Sequence, residues 1–228
     1  ALSAYSSHPM SYYGKGGVSA DFVGMARAQR QVEMPEVFQI YFTGCSGDTT
    51  AGKFNDGAPE NRPVLAGKIH QGMVKAWENT QRYPLEQVTL RVAELSLVPK
   101  SFGGYSEEDS RKTVADTTAK SFQRNLAAMN LSWRKRVAAG EPIDVPVVDF
   151  GKAKFLVMPA ESFVQYQIIA QGLSPDAPVV AAGFGECAPG YIPTALASTE
   201  KYNDESWCWV EPGAEPLITE ALRQAMGN

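Results

Sequence analysis

The sequence predicts an α/β protein, a mixed β-sheet with helices packed on it. Three observations predict it. Apolar strand-like runs alternate with amphipathic helical stretches along the 228 residues. One pair of runs, 145–150 and 153–158, turns at Gly151-Lys152 as a hairpin, so the sheet is not purely parallel. Several runs end in a polar residue or a Gly-rich turn, which is where α/β sheets build their sites.

The elements follow in order. Residues 1–7 read as a strand and Tyr12–Gly17 as a turn-rich loop. Asp21 is positioned to cap a helix reaching about Glu33, with Phe22, Met25 and Ala26 inward. Residues 36–43 form a short apolar strand. The loop over 44–60, rich in Gly, Asn, Asp and Pro, is long for a simple connection and therefore a functional candidate. Pro63 suits a first helical turn, and Leu65, Ile69, Met73, Ala76 and Trp77 give a helix to about Gln81.

Residues 88–97 alternate as a half-buried strand. Glu107–Thr118 is charged and helical. Ala119–Ala139 is a helix with Phe122, Leu126, Met129 and Trp133 on one stripe. The region 100–140 is more polar than its flanks, as a helical insertion at the edge of a single 1–228 domain would be. Glu161–Gly172 reads as a helix, Pro178–Ala182 as a buried strand and Glu215–Met226 as a final helix.

Composition excludes some functions. A net charge of -4 gives no electrostatic case for nucleic acid or an anionic membrane surface. No apolar stretch approaches the roughly 20 residues a transmembrane helix needs. The chain opens inside an apolar run with no initiator Met and no signal peptide, the appearance of a cleaved or truncated product. Three cysteines allow at most one internal disulfide, and Cys187 and Cys208, which flank one loop region, are the pair favoured. Cys45 would then stay free; three reduced thiols are the alternative.

Four segments carry candidate chemistry. His8-Pro9 follows the first strand. Gly44–Thr50 caps the second. Glu161 closes the run Phe155–Ala160, and Tyr191 follows the Gly-rich stretch 183–190. His and Glu are zinc ligands, and Tyr is an uncommon ligand or a donor to a developing oxyanion. A catalytic zinc uses about three protein ligands and keeps one position for water. Taken singly each residue also has a structural reading: His8 at a strand end, Glu161 on a helix dipole, Tyr191 in a core. No HExxH, P-loop or GxSxG is present.

Together and in this order the four segments resemble the neutral/alkaline (non-lysosomal) ceramidase family, zinc amidases that hydrolyse the N-acyl bond of ceramide. His8-Pro9 with Ser19-Ala20-Asp21 matches the family's His-Pro and Ser-x-Asp. Cys45–Gly52 matches Asn-x-Gly-Asp-x-Ser-Pro-Asn, with Thr50 where the family has its catalytic Ser. Pro159-Ala160-Glu161 matches Pro-Gly-Glu, and Tyr191–Thr194 matches Tyr-Val-Thr-Thr. Tyr202 is the nearest match to a second family Tyr, one position out of register. The likeness spans residues 1 to about 215.

The resemblance implies the C-terminal half of a ceramidase-like catalytic domain. His8, Glu161 and Tyr191 would bind zinc. Thr50, Asp48 and Tyr202 would act at the reacting group, with Gly47, Thr49 and Tyr202 against the substrate, an N-acylated small molecule or lipid. The family's first ligand His lies in an N-terminal half that this sequence does not contain, so a second chain or further segment would complete the domain. His70, mid-helix, reads as structural. A secreted, periplasmic or extracellular location goes with the family, and Asn130-Leu131-Ser132 would be a glycosylation sequon there. Thr50 is stiffer than Ser, which favours metal-activated water over a covalent step. Two other readings are a non-catalytic subunit with a decayed site and a metal-independent acyl hydrolase using Thr50.

Overall fold

A computed structural model describes residues 1–186, 189–204 and 207–227. The main sheet is mixed, in the order β3 (Thr89–Leu95), β4 (Ile143–Asp149), β5 (Lys154–Val157), β7 (Val179–Ala182), with β5 and β7 parallel and the other pairs antiparallel. β1 (Leu2–Tyr5) and β2 (Ile40–Thr43) form a parallel pair. That pair meets the main sheet where Gly183 N–H donates to the Thr43 carbonyl at 2.8 Å and Phe42 packs on Phe155, ring centres 5.3 Å apart. A third parallel pair is β6 (Glu161–Ser162) with β8 (Tyr191–Ile192).

The helices are α1 (Asp21–Glu33), α2 (Asn61–Glu78), α3 (Glu107–Ala115), α4 (Ser121–Ala138), α5 (Val164–Gly172), α6 (Ala195–Thr199) and α7 (Ala214–Met226). Side chains alternate across a strand, so β4 sends Ile143, Val145 and Val147 to one face, all fully buried. Leu156 continues that row on β5, and Ile218 and Leu222 of α7, Tyr166 of α5 and Leu126 and Trp133 of α4 complete the core. Each such side chain stabilises by about 1.5–3 kcal/mol through burial. A smaller core joins Phe22 and Val23 of α1 to Leu65 and Ala66 of α2. The hairpin turns at Gly151, whose φ of 78° suits a residue with no Cβ.

Several expectations need correction. The first two strands are shorter than 1–7 and 36–43. Asp21 is the first residue of α1, not its cap, and its carboxylate accepts from the Ser11 and Phe22 N–H groups. Met25, Phe122 and Met129, expected inward, are 45%, 55% and 42% exposed. Two-contact helices need only a narrow stripe, and Ala26, Ala127 and Asn130 fill it. Asn130 is fully buried, with its amide donating to the Tyr105 carbonyl and Ser110 Oγ, so this fold has no room for a glycan there. His70 pairs with Glu33 at 2.8 Å, tying α2 to α1. Residue 161 opens a strand, and α5 begins only at Val164. Cys45 and Cys208 are buried free thiols, and Cys187 lies outside the described residues. Among the described residues no helix is long and apolar enough to cross a membrane.

Burial pushes the Cys45 thiol up to about 12, with the Asp48 charge adding to it. Iodoacetamide at pH 8 is therefore expected to leave Cys45 unmodified in the native protein and to alkylate it fully in urea, read by peptide mass. Rapid native labelling would show that the 44–50 loop opens.

Candidate functional site

The site forms where β1 and β2 end and β6 meets β8. His8 Nδ1 lies 3.1 Å from the Thr49 carbonyl, and Nε2 lies 3.0 Å from Glu161 Oε2. His8 N–H donates to the same carbonyl at 3.0 Å. A carbonyl only accepts, so Nδ1 carries a hydrogen. Nε2 therefore meets Glu161 as the second N–H of an imidazolium, or as a bare lone pair that accepts from a protonated carboxyl or shares a cation with the carboxylate. The Glu161 hydrogen bond is the chief influence raising the His8 pKa, against burial, which lowers it.

Tyr191 is the register partner of Glu161 across β6 and β8, which sets its phenol beside that carboxylate. Burial first, and the Glu161 charge second, push the phenol pKa upward, so it stays a neutral donor. Its ring centre is 6.2 Å from that of His8 and 6.1 Å from that of Tyr202, which in turn packs edge-on to Phe163 at 4.9 Å. Phe184 covers His8 edge-on at 5.8 Å. Two residues of this wall are strained: Ala160 and Phe184 have φ of 45° and 58°, and Phe184 N–H donates to the Ala160 carbonyl.

No family model matches the sequence, and no curated protein is significantly similar to it. Solved structures do match. Neutral ceramidase from Pseudomonas aeruginosa superposes with a TM-score of 0.67 at 11% identity, over 99% of this chain and 43% of that one. A ceramidase complexed with C2 superposes with a TM-score of 0.69 at 12% identity, over 99% and 45%. The chain has the ceramidase fold. It spans less than half the length of either structure.

Within this ceramidase fold, His8, Glu161 and Tyr191, distant in sequence, are adjacent in space, with Tyr202 beside them. Thr50 forms an isolated parallel bridge with His8 and is exposed. Both His8 ring nitrogens are engaged with Glu161 and Thr49, not with the Thr50 hydroxyl. The other loop residues also make contacts within the chain. Asp48 Oδ1 accepts from Val164 N–H at 2.8 Å and so serves the start of α5. Gly47 N–H donates to the Ser162 carbonyl at 3.0 Å. Thr49 Oγ1 donates to the Ser6 carbonyl at 3.1 Å, holding the carbonyl that orients His8. The sequence reading missed Phe163, Phe184 and that carbonyl. The Gly183-Phe184-Gly185 pattern was a signal for Phe184; a backbone acceptor leaves none.

Ala160 occupies the position where Pro-Gly-Glu carries Gly. A Cβ in the left-handed region costs about 1–2 kcal/mol, and Gly loses about 0.4–1 kcal/mol more chain entropy on folding. Ala160 is buried, so removing its methyl forfeits about 0.8 kcal/mol more; Ala160→Gly is thus expected to leave the urea midpoint nearly unchanged, whereas a clear fall would show that the left-handed backbone carries no strain.

Proposed function

We propose that this chain carries the greater part of a zinc-dependent site that hydrolyses a linear N-acyl amide, as a ceramidase-like hydrolase does. The observation that carries the reading is the His8–Glu161 pair. The two atoms stand 3.0 Å apart. Two ligands each about 2.0–2.2 Å from one tetrahedral zinc ion stand about 3.3–3.6 Å apart, so a shared ion needs the pair to part by only a few tenths of an ångström. Imidazole and carboxylate are standard zinc ligands, and a phenol is an uncommon one. Among the described residues no group of three His, Cys, Asp or Glu comes together. The set therefore fits as two conventional ligands and a phenol, with the usual third ligand to come from a segment beyond these residues.

Zinc there would supply Lewis acidity toward the amide carbonyl and a nucleophilic water at neutral pH. His8 and Glu161 would hold it, with Thr49 fixing the imidazole tautomer. Tyr191, neutral and half-buried, would donate a hydrogen bond to the oxygen that gains charge as water adds. Tyr202 would wall the acyl side with Phe163. Thr50 would position the substrate as an exposed hydroxyl. An N-acylated small molecule or lipid is the substrate class, and a secreted or periplasmic location accompanies the reading.

The test is elemental analysis of the natively purified protein together with hydrolysis of N-acyl substrates, with and without chelator. About one zinc per chain and chelator-sensitive hydrolysis are expected. Hydrolysis indifferent to chelator, with an acyl probe labelling Thr50, would replace the metal reading. Neither metal nor hydrolysis would leave a non-catalytic subunit.

A further inference from the structure

Lys100 lies beyond the end of β3, and its side chain is wholly buried. Its ammonium sits over the rings of Tyr105 and Phe102, 4.5 and 5.3 Å from their centres, and donates to the Asn203 carbonyl at 2.6 Å. Taking an ammonium out of water is costly, and an apolar side chain of the same length would fill the space without that cost. What an apolar chain cannot do is donate a charge-assisted hydrogen bond to a backbone carbonyl. The place of that carbonyl is therefore what the ammonium secures.

Asn203 follows Tyr202 directly, in the 3-10 turn Tyr202–Asp204. The chain enters the turn through Lys201, whose φ of 64° is strained for a residue with a Cβ and persists only where its surroundings fix it. Asn203 is itself buried. Its amide donates to the Val210 carbonyl at 2.9 Å and lies 3.6 Å from Cys208 Sγ. The segment 207–211 that it grips runs between two others. On one side Lys100 N–H donates to the Trp209 carbonyl at 2.8 Å, and Glu211 N–H to the Val98 carbonyl at 2.9 Å. On the other, Trp209 N–H donates to the Pro189 carbonyl at 3.2 Å, and Tyr191 N–H to the Trp207 carbonyl at 2.9 Å. Tyr202 and Tyr191, the two phenols of the candidate site, thus stand on backbone that converges on Lys100 and Asn203.

We propose that Lys100 is a positioning residue for the hydrolytic site. Through the Asn203 carbonyl it fixes the turn that holds the Tyr202 ring against Phe163 and Tyr191, and so shapes the wall that the acyl group of a substrate meets. The proposal rests on the hydrolase reading for what the wall does, and on the buried contacts alone for how the wall is held.

The experiment compares the unaltered protein with Lys100→Met, which keeps the stem and removes the donor. 3-Fluorotyrosine is incorporated at residue 202, and at residue 41, which packs on the separate α1–α2 core, as control. The unaltered protein is expected to give one narrow fluorine line at 202 and a scalar coupling from Lys100 Nζ, across the hydrogen bond, to the Asn203 carbonyl carbon. In Lys100→Met the 202 line is expected to split or broaden, while the 41 line and the zinc content stay as they were. KM for N-acyl substrates is expected to rise about tenfold with kcat within about twofold, the pattern of a lost substrate contact rather than of damaged chemistry. A merely structural role would move both fluorine lines and leave no such split between KM and kcat. An unmoved 202 line, or a moved line with KM unchanged in an active protein, would overturn the proposal. Should Lys100→Met fail to fold, the coupling decides, and its absence overturns the proposal. The two readings fail separately. An unaltered protein with neither zinc nor hydrolysis sinks the function and leaves the fluorine lines to judge the positioning. Hydrolysis with the 202 line unmoved in Lys100→Met does the reverse.

Discussion

His8→Ala is expected to abolish stoichiometric zinc and to lower N-acyl hydrolysis about 10³-fold or more, while the protein stays folded. Removing a ligand that also orients its neighbour takes away both metal and geometry, and losses of a single catalytic group run about 10²–10⁴-fold. The structural loss is smaller. The pair lost is partly solvent-exposed, 16% for His8 and 24% for Glu161, so water re-solvates the carboxylate. Thr50→Val is the companion variant. It keeps the shape and removes the hydroxyl, and with both His8 nitrogens engaged elsewhere it is expected to cost about tenfold at most. A Thr50→Val loss as deep as that of His8→Ala would mean that Thr50, not water, attacks the amide.

Gly47→Ala is expected to be a strongly damaging single-methyl change in the site. A Cβ on Gly47 would stand 2.2 Å from the Glu161 carbonyl oxygen and 2.9 Å from Phe163 Cδ1. Backbone cannot swing aside as a side-chain tip can, so loop and strand must part. Overpacking costs about 1–3 kcal/mol, and the upper end lowers the melting temperature of a chain this long by about 6–12 °C. Moving β6 also displaces Glu161, so activity should fall with stability. Gly52→Ala in the same loop is the control, because its Cβ would meet nothing nearer than 3.8 Å. Equal melting temperatures for the two variants would show that the loop does not pack on β6 in solution.

Much of this architecture is legible in the residues, and the failures have physical causes. Long helices with a clear apolar period, α2, α4 and α7, can be read directly. His8 and Tyr191 can be singled out because one follows an apolar run and the other a Gly-rich stretch. Glu161 is misassigned to a helix because a two-residue strand such as β6 is too short to show any period. Gly47 and Asp48 look like ligand-facing loop residues. Whether such a group faces solvent or a neighbouring strand depends on long-range packing that no local pattern records. The outer face of β3 is ambiguous for the same reason. Leu90 and Val92 carry β-propensity, and only the fold shows that they stand 64% and 49% exposed.

The His8–Glu161 contact joins positions 153 residues apart, and His8–Thr49 joins positions 41 apart. Such contacts close last, because loop-closure entropy is spent before they return anything. During refolding from denaturant the site therefore reports completion of the topology rather than its onset. Far-UV signal should recover first, from α2, α4 and α7. Affinity for metal should follow in a slower phase, as the two ends of the chain come together.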